Sequence, residues 1–142
     1  MKIGEAARAT GLSAKSIRYY ESLGLVQSLR RDNGYREYDS AAIQELNLLA
    51  RARRVGFSLE ECRYLVSLLN NQSRHSADVK QQVLQKVAQL DEQLVHLTQM
   101  RNTLLELADR CQGDEGPECA ILQDLSSANT GMRFTLVEDE NG

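Results

Sequence analysis

The feature that most constrains the fold is a run of 35 residues, 76–110, that contains neither glycine nor proline. Within it, positions at alternating steps of four and three are apolar except for one arginine: Val83, Val87, Leu90, Leu94, Leu97, Arg101, Leu104 and Ala108. This spacing is the a/d pattern of a coiled coil, in a helix about 50 Å long. So short a chain cannot cover such a seam, so the pattern predicts a homodimer through a parallel or antiparallel coiled coil.

Two short helices joined by a glycine-containing turn are predicted at the start of the chain. Residues 4–10 form the first helix, which ends at Gly11. Ser13 is a suitable N-cap for a second helix that continues to about Leu23. The pair has the form of a helix-turn-helix, whose second helix contacts DNA. The residues of that helix expected to face DNA are Lys15, Arg18 and Tyr19.

A hairpin with basic side chains is predicted next. The turn at residues 32–34 contains Asn-Gly, which tolerates the positive φ of tight hairpin turns. Directly behind a helix-turn-helix, such a hairpin favours a wing that grips the DNA backbone, although a solvated surface hairpin is the alternative. The wing residues expected to face DNA are Arg30, Tyr35 and Arg36.

Charge is distributed unevenly along the chain, whose formal net charge is −3. Residues 1–54 carry ten Lys/Arg and six Asp/Glu, a net charge of +4, whereas residues 55–142 have a net charge of −7. A locally basic head suits phosphate binding, because phosphates are neutralised where they touch the protein. A charge of +4 is modest, so an ordinary uneven surface remains the alternative on charge alone.

Two further helices complete the predicted head. Asp39 is placed to cap a third helix, and Ser58 with Glu61 forms a capping box for a fourth. Cys62 lies in the fourth helix, where a lone cysteine is more often a small buried apolar side chain than a metal ligand. We therefore expect a winged helix-turn-helix DNA-binding domain over residues 1–70 and a dimerisation helix over residues 76–110.

Cys111 and Cys119 flank a seven-residue loop that contains glycine and proline but no histidine and no third cysteine. In a reducing compartment, cysteines argue for metal or redox chemistry rather than for disulfides. Two thiolates without other ligands suit a soft ion of low coordination number, such as Cu(I), Ag(I) or Au(I), whereas Zn(II) usually takes four ligands. We expect a metal-binding loop and short helix over residues 111–125 and a flexible tail over residues 126–142.

Other classes of protein find little support in the sequence. No segment approaches the ~18 consecutive apolar residues of a membrane span, and the N-terminus lacks the apolar core of a signal peptide. We therefore expect a cytoplasmic protein that does not contact a membrane. Because no nucleophile–base pair, glycine-rich phosphate loop or supported carboxylate pair is present, we do not expect an enzyme.

Several short motifs are spread over the first 125 residues. They are Ile3–Ala7, Gly11–Ser13, Ile17–Glu21 with Gly24-Leu25, Asn33–Tyr38 and Val55–Leu59. On these residues the chain resembles the MerR family of transcription regulators. Through residues 74–80 and the Cys111/Cys119 pair, it most resembles the copper-sensing members of that family.

The resemblance implies a mainly α-helical protein with a winged helix-turn-helix head, a long antiparallel coiled-coil dimerisation helix and a C-terminal metal-binding loop. Members of the family bind a palindromic operator in promoter DNA whose two recognition elements are spaced too far apart. The metal-bound protein distorts this DNA so that RNA polymerase engages both elements. The resemblance thus implies a homodimeric, metal-responsive activator of efflux or detoxification genes, with Cys111 and Cys119 as metal ligands and the six head residues named above facing DNA.

Metal selectivity and an alternative function also follow from this comparison. Zinc-sensing relatives have a cysteine where this chain has Ser76, so the resemblance favours a monovalent ion and leaves Cu(I), Ag(I) and Au(I) open. The alternative is a thiol redox-sensing regulator, which needs an electropositive setting for its cysteines. The loop instead carries Asp114, Glu115 and Glu118, from which we expect raised thiol pKa values.

Overall fold

Helices dominate the fold. The structure is a computed structural model that describes residues 1–32 and 34–128. In chain order the elements are α1 (Ile3–Thr10), α2 (Ala14–Ser22), β1 (Leu29–Arg30), β2 (Arg36–Glu37), α3 (Ser40–Arg54), α4 (Leu59–Leu69), α5 (Ser76–Arg110) and α6 (Ala120–Ser126). Within the described ranges, no helix has the length and apolarity needed to cross a membrane. The chain divides into two compact units, Met1–Lys86 and Val87–Gly142.

The predicted helix-turn-helix is confirmed. α1 ends where Gly11 takes a φ of 75°, a left-handed conformation that glycine adopts without steric cost. The Ser13 hydroxyl then accepts a hydrogen bond of 3.0 Å from the backbone N–H of Ser16, which caps α2. Ile17 and Tyr20 of α2 are buried in the core, so the opposite face of this helix is exposed.

The predicted hairpin is also present, and we call residues 29–37 the wing. Its two short strands pair antiparallel, with Leu29 opposite Glu37 and Arg30 opposite Arg36. The backbone of Glu37 also forms an isolated antiparallel β-bridge with that of Lys2, so the start of the chain lies along the second strand of the wing. The predicted turn includes Asn33, which lies outside the described residues.

The head has an apolar core, formed by α1–α4 and by the segments on either side of the wing. Asp39 caps α3 by accepting from the N–H of Ala42 at 2.8 Å, and Ser58 with Glu61 makes the predicted capping box of α4. Cys62 is fully buried, and burial raises the pKa of its thiol, as expected for an inert apolar side chain. The buried core residues with no more than 1 % exposure are Ala6, Ile17, Val26, Tyr38, Leu46, Leu49 and Cys62.

The long helix predicted from the glycine- and proline-free run is confirmed as α5, and its bounds are those expected. Near its start, Lys86 is buried, and its ammonium lies 2.8 Å from Oε1 of Glu61 in α4 and 5.5 Å from the ring centre of Phe57. Most apolar a/d side chains are exposed in the single chain, for example Leu94 at 60 % and Leu104 at 64 %. Of the predicted flexible tail, residues 129–142 lie outside the described residues.

Candidate metal centre and DNA-binding surface

The two loop cysteines lie side by side at the end of α5. Cys111 directly follows the last residue of α5, and Cys119 is the N-cap residue of α6, so the two helices hold the ends of the loop. The Sγ atoms are 3.7 Å apart, and both cysteines are free and half-buried. This separation is too long for a disulfide of about 2.05 Å, so the two thiols are free, and they lie close enough together to contact one ion.

The first turn of α6 stabilises one of the thiolates. The backbone of Leu122 is the largest influence on Cys119 and lowers the pKa of its thiol. Burial raises this pKa by a smaller amount, and the Cys111 side chain and the Ile121 backbone lower it further. The expectation that the acidic loop residues raise the thiol pKa is therefore wrong for Cys119. Directed N–H groups at hydrogen-bond distance act more strongly than carboxylates that remain in solvent.

Few other metal-binding side chains lie near these two sulfurs in the part of the chain that the structure describes. In the described ranges, no group of three or more His, Cys, Asp or Glu side chains is arranged to hold a metal ion. Zn(II) usually needs four ligands, whereas soft monovalent ions accept two thiolates. The residues present therefore fit a two-coordinate soft cation.

A basic cleft of about 660 Å³ lies between the start of α1, α2 and the wing. It brings together three of the residues expected to face DNA, namely Arg18, Tyr35 and Arg36. It also contains Lys2 and Arg8, which the sequence reasoning missed. The ammonium of Lys2 lies 5.6 Å from the ring centre of Tyr35. This cation–π contact joins the residue before α1 to the wing.

Arg36 is held in place by a neighbouring carboxylate. Its Nη1 lies 3.1 Å from Oε2 of Glu21, and the Tyr38 hydroxyl donates to the same oxygen at 3.4 Å. Burial raises the pKa of Tyr38, and the charge of Glu21 raises it further. The Glu21 carboxylate thus connects α2 to the wing and orients Arg36 towards the basic cleft.

The other DNA-facing candidates lie outside this cleft. Lys15 and Tyr19 are exposed on α2, and Arg30 is exposed on β1 directly opposite Arg36. Ser76 is the first residue of α5 and lies in a separate shallow cleft with Arg74 and Lys80. The roles of these residues in DNA binding and metal selection stay predictions.

The head, the long helix and the paired thiols define a class of protein: winged helix-turn-helix DNA-binding proteins that carry a thiol site beyond a long helix. A model of the MerR HTH family of regulatory proteins matches residues 1–69, and a model described as MerR, DNA binding, matches residues 43–107.

Individual relatives agree with the family match. The chain is 50 % identical over 127 residues to the HTH-type transcriptional regulator CueR of Yersinia pestis, which covers 89 % of this chain and 91 % of that protein. It is 44 % identical over 126 residues to the regulator HmrR of Rhizobium leguminosarum bv. viciae, a match that covers 89 % of this chain and 98 % of that protein. The crystal structure of the regulator PbrR691 from Ralstonia metallidurans CH34 in complex with lead(II) superposes on this chain with a TM-score of 0.77 at 29 % identity. The match covers 89 % of this chain and 99 % of that one.

The chain therefore belongs to the MerR family of transcription regulators. It is a DNA-binding regulator and not an enzyme. Its relatives include the heavy metal-dependent transcription regulator 2 of Rhizobium meliloti.

Proposed function

We propose that this chain is a transcription activator that senses a monovalent soft ion, Cu(I) or its congeners Ag(I) and Au(I), through Cys111 and Cys119. The observation that carries the proposal is the donor set: two thiols lie side by side, and no third His, Cys, Asp or Glu joins them among the residues that the structure describes. A solved relative, PbrR691, contains lead(II), which supports metal binding in proteins of this architecture.

The charge of the site also favours a monovalent ion. Two thiolates and one monovalent cation leave a net charge of −1, and the N–H groups of Ile121 and Leu122 already stabilise the Cys119 thiolate. Ser76 is proposed to supply a hydroxyl where zinc-sensing relatives supply a thiolate. The site then has too few ligands for Zn(II).

A homodimer follows from the exposed seam of α5. Apolar a/d side chains are between 39 % and 64 % exposed in the single chain, for example Leu90, Leu94 and Leu104. Such a stripe buries its apolar surface by pairing with the same stripe of a second copy. We propose an antiparallel coiled coil, as the family resemblance implies.

The basic head is proposed to bind the operator. Lys15 and Tyr19 lie on the exposed face of α2, where a recognition helix meets the major groove, while Arg18 and Arg36 line the basic cleft beside the wing. The proposed dimer binds a palindromic operator within a promoter, both with and without metal. The metal-loaded form distorts the DNA so that RNA polymerase starts transcription of metal efflux or detoxification genes.

The test is transcription in vitro from the promoter that the protein binds, with RNA polymerase present. The reaction is titrated with Cu(I), Ag(I), Au(I), Zn(II), Pb(II) and Hg(II). We expect activation by the monovalent ions and none by Zn(II). Cys119→Ser should abolish activation while operator binding persists, because one thiolate cannot hold the ion. Cys62→Ser is the matched control and should respond normally. Normal Cu(I) activation of Cys119→Ser, or strong Zn(II) activation of the unmodified protein, would contradict the proposal.

A thiol redox-sensing regulator is the second candidate function. It is favoured by the lowered pKa of Cys119 and by the short distance to Cys111, which suit disulfide formation. The same assay separates the two candidates. A redox sensor would respond to peroxide in the presence of a metal chelator, whereas a Cu(I) sensor would respond to the metal under reducing conditions.

A further inference from the structure

An ion pair links the two helices on either side of the metal loop. Arg110 is the last residue of α5, Asp124 lies in the middle of α6, and the guanidinium Nη1 is 2.5 Å from the carboxylate Oδ2. Cys111 directly follows Arg110, and Cys119 is the N-cap residue of α6. The ion pair therefore joins the two segments that carry the loop thiols.

We propose that the Arg110–Asp124 ion pair is a clasp that positions Cys119 beside Cys111 and thereby sets the metal affinity of the loop. This inference rests on the proposed function. The Sγ of Cys119 lies 3.7 Å from that of Cys111, and Cys119 is the N-cap residue of α6, so the clasp acts on the thiol through the position of α6. Arg110 and Asp124 are accordingly positioning residues, not ligands.

α6 needs such a contact because it is short and poorly buried. It has seven residues, none of them buried, and Leu122 and Leu125 are 66 % and 56 % exposed. Isolated helices of this length are unstable in water, since the cost of nucleation is not recovered. Cys119 makes no side-chain cap bond to α6 that would hold the first turn. An ion pair to the end of α5 is therefore well placed to fix the helix.

The expected effect is modest because the pair is partly solvated. The side chains of Arg110 and Asp124 are 51 % and 37 % exposed, so water and salt screen their attraction. The upper end of the range measured for exposed ion pairs, which applies to a short contact such as this one, corresponds to roughly three- to fivefold. We expect a loss of Cu(I) affinity of this size when either charge is removed.

The first experiment measures Cu(I) affinity of the full chain by competition with a colorimetric Cu(I) chelator under reducing conditions. Asp124→Asn and Arg110→Gln should both bind Cu(I) about three- to fivefold more weakly. If each charge acted only through its long-range electrostatic field, the two variants would change the Cu(I) affinity in opposite directions. Loss of the carboxylate would favour an anionic site, and loss of the guanidinium would disfavour it. Asp109→Asn, an exposed carboxylate on the last turn of α5, is the matched control and should change affinity less than twofold.

Rescue and salt dependence separate a clasp from general damage to the fold. The swapped variant Arg110→Asp/Asp124→Arg should regain affinity to within about twofold of the unmodified protein. In ~1 M salt, where the screening length is about 3 Å, the ratio of the Cu(I) affinity of the unmodified protein to that of each single variant should approach one. Opposite signs in the two single variants, or no recovery in the swap, would overturn the clasp.

A second measurement needs no metal. In a Cys62→Ala background, equilibrium with oxidised and reduced glutathione reports how close Cys111 and Cys119 are held, because one disulfide forms in the protein as glutathione disulfide is reduced to two thiols. The single-charge variants should form this disulfide about three- to fivefold less readily. An unchanged equilibrium overturns the clasp. If the unmodified protein forms the disulfide readily, the charge variants form it less readily, and none of them binds Cu(I), the proposed function is overturned, whereas the positioning of Cys119 by the ion pair is supported.

Discussion

Leu94 in the middle of the α5 seam provides a quantitative test of dimerisation. Its side chain is 60 % exposed in the single chain, although it occupies an a/d position of the seam. Complete burial of a leucine side chain is worth about 1.5–3 kcal/mol, so covering the exposed part contributes ~1–2 kcal/mol per copy. A symmetric dimer contains two copies, and Leu94→Ala should therefore weaken association by ~2–4 kcal/mol. Since ~1.4 kcal/mol corresponds to a factor of ten, the dimer Kd should rise by roughly 30- to 1,000-fold.

Leu94→Glu should weaken the dimer further, because it places a charge in the apolar seam. The assay is sedimentation over a dilution series, with operator affinity measured on the same samples, and both should fall together. Gln99→Glu adds the same charge on the outer face of the helix and is the matched control, with less than a threefold change expected in Kd. A stable wild-type monomer at micromolar concentration, or equal Kd values for Leu94→Glu and Gln99→Glu, would refute the reasoning.

Three further predictions concern metal choice, DNA binding and acid stability. Ser76→Cys should add a thiolate and extend the response in the transcription assay towards divalent ions. Arg18→Ala should lower operator affinity and reduce the salt slope by about one for each phosphate that a protomer no longer neutralises, whereas Lys15→Ala should instead relax sequence preference if it reaches a base edge. Burial alone would raise the pKa of Glu61, but hydrogen bonds from Lys86 and Ser58 lower it overall. Glu61→Gln should therefore lower the urea midpoint at pH 7, and this deficit should shrink as the pH falls through the lowered pKa of the native carboxylate, because that carboxylate is then also protonated.

The elements that the sequence predicted well depend on local chemistry. Ser13, Asp39 and Ser58 each act within three residues of their own position, so the caps and the helix starts they define can be read without knowing the fold. The length of α5 was equally accessible, because neither glycine nor proline interrupts its heptads. The spacing of Cys111 and Cys119 indicated a metal site for the same reason, since the two residues share one short loop.

What the sequence did not predict depends on tertiary placement. The bond from Arg36 to Glu21 joins side chains 15 positions apart, and no spacing rule identifies such partners. Lys2 joins the basic cleft only because the chain start pairs with the wing. The nearby carboxylates predict a raised pKa for the Cys119 thiol, whereas the backbone at the start of α6 lowers it. Counting charges fails where one hydrogen bond at short range outweighs several solvated ions.

The two ends of α5 are fixed by different means from its middle. Lys86 near its start pairs with Glu61, and Arg110 at its end pairs with Asp124, while the apolar a/d side chains between them stay exposed in the single chain. The helix itself has no glycine or proline at which it could bend easily. Glu61→Gln and Asp124→Asn therefore each remove one of these ion pairs without touching either the proposed ligands or the DNA-facing residues.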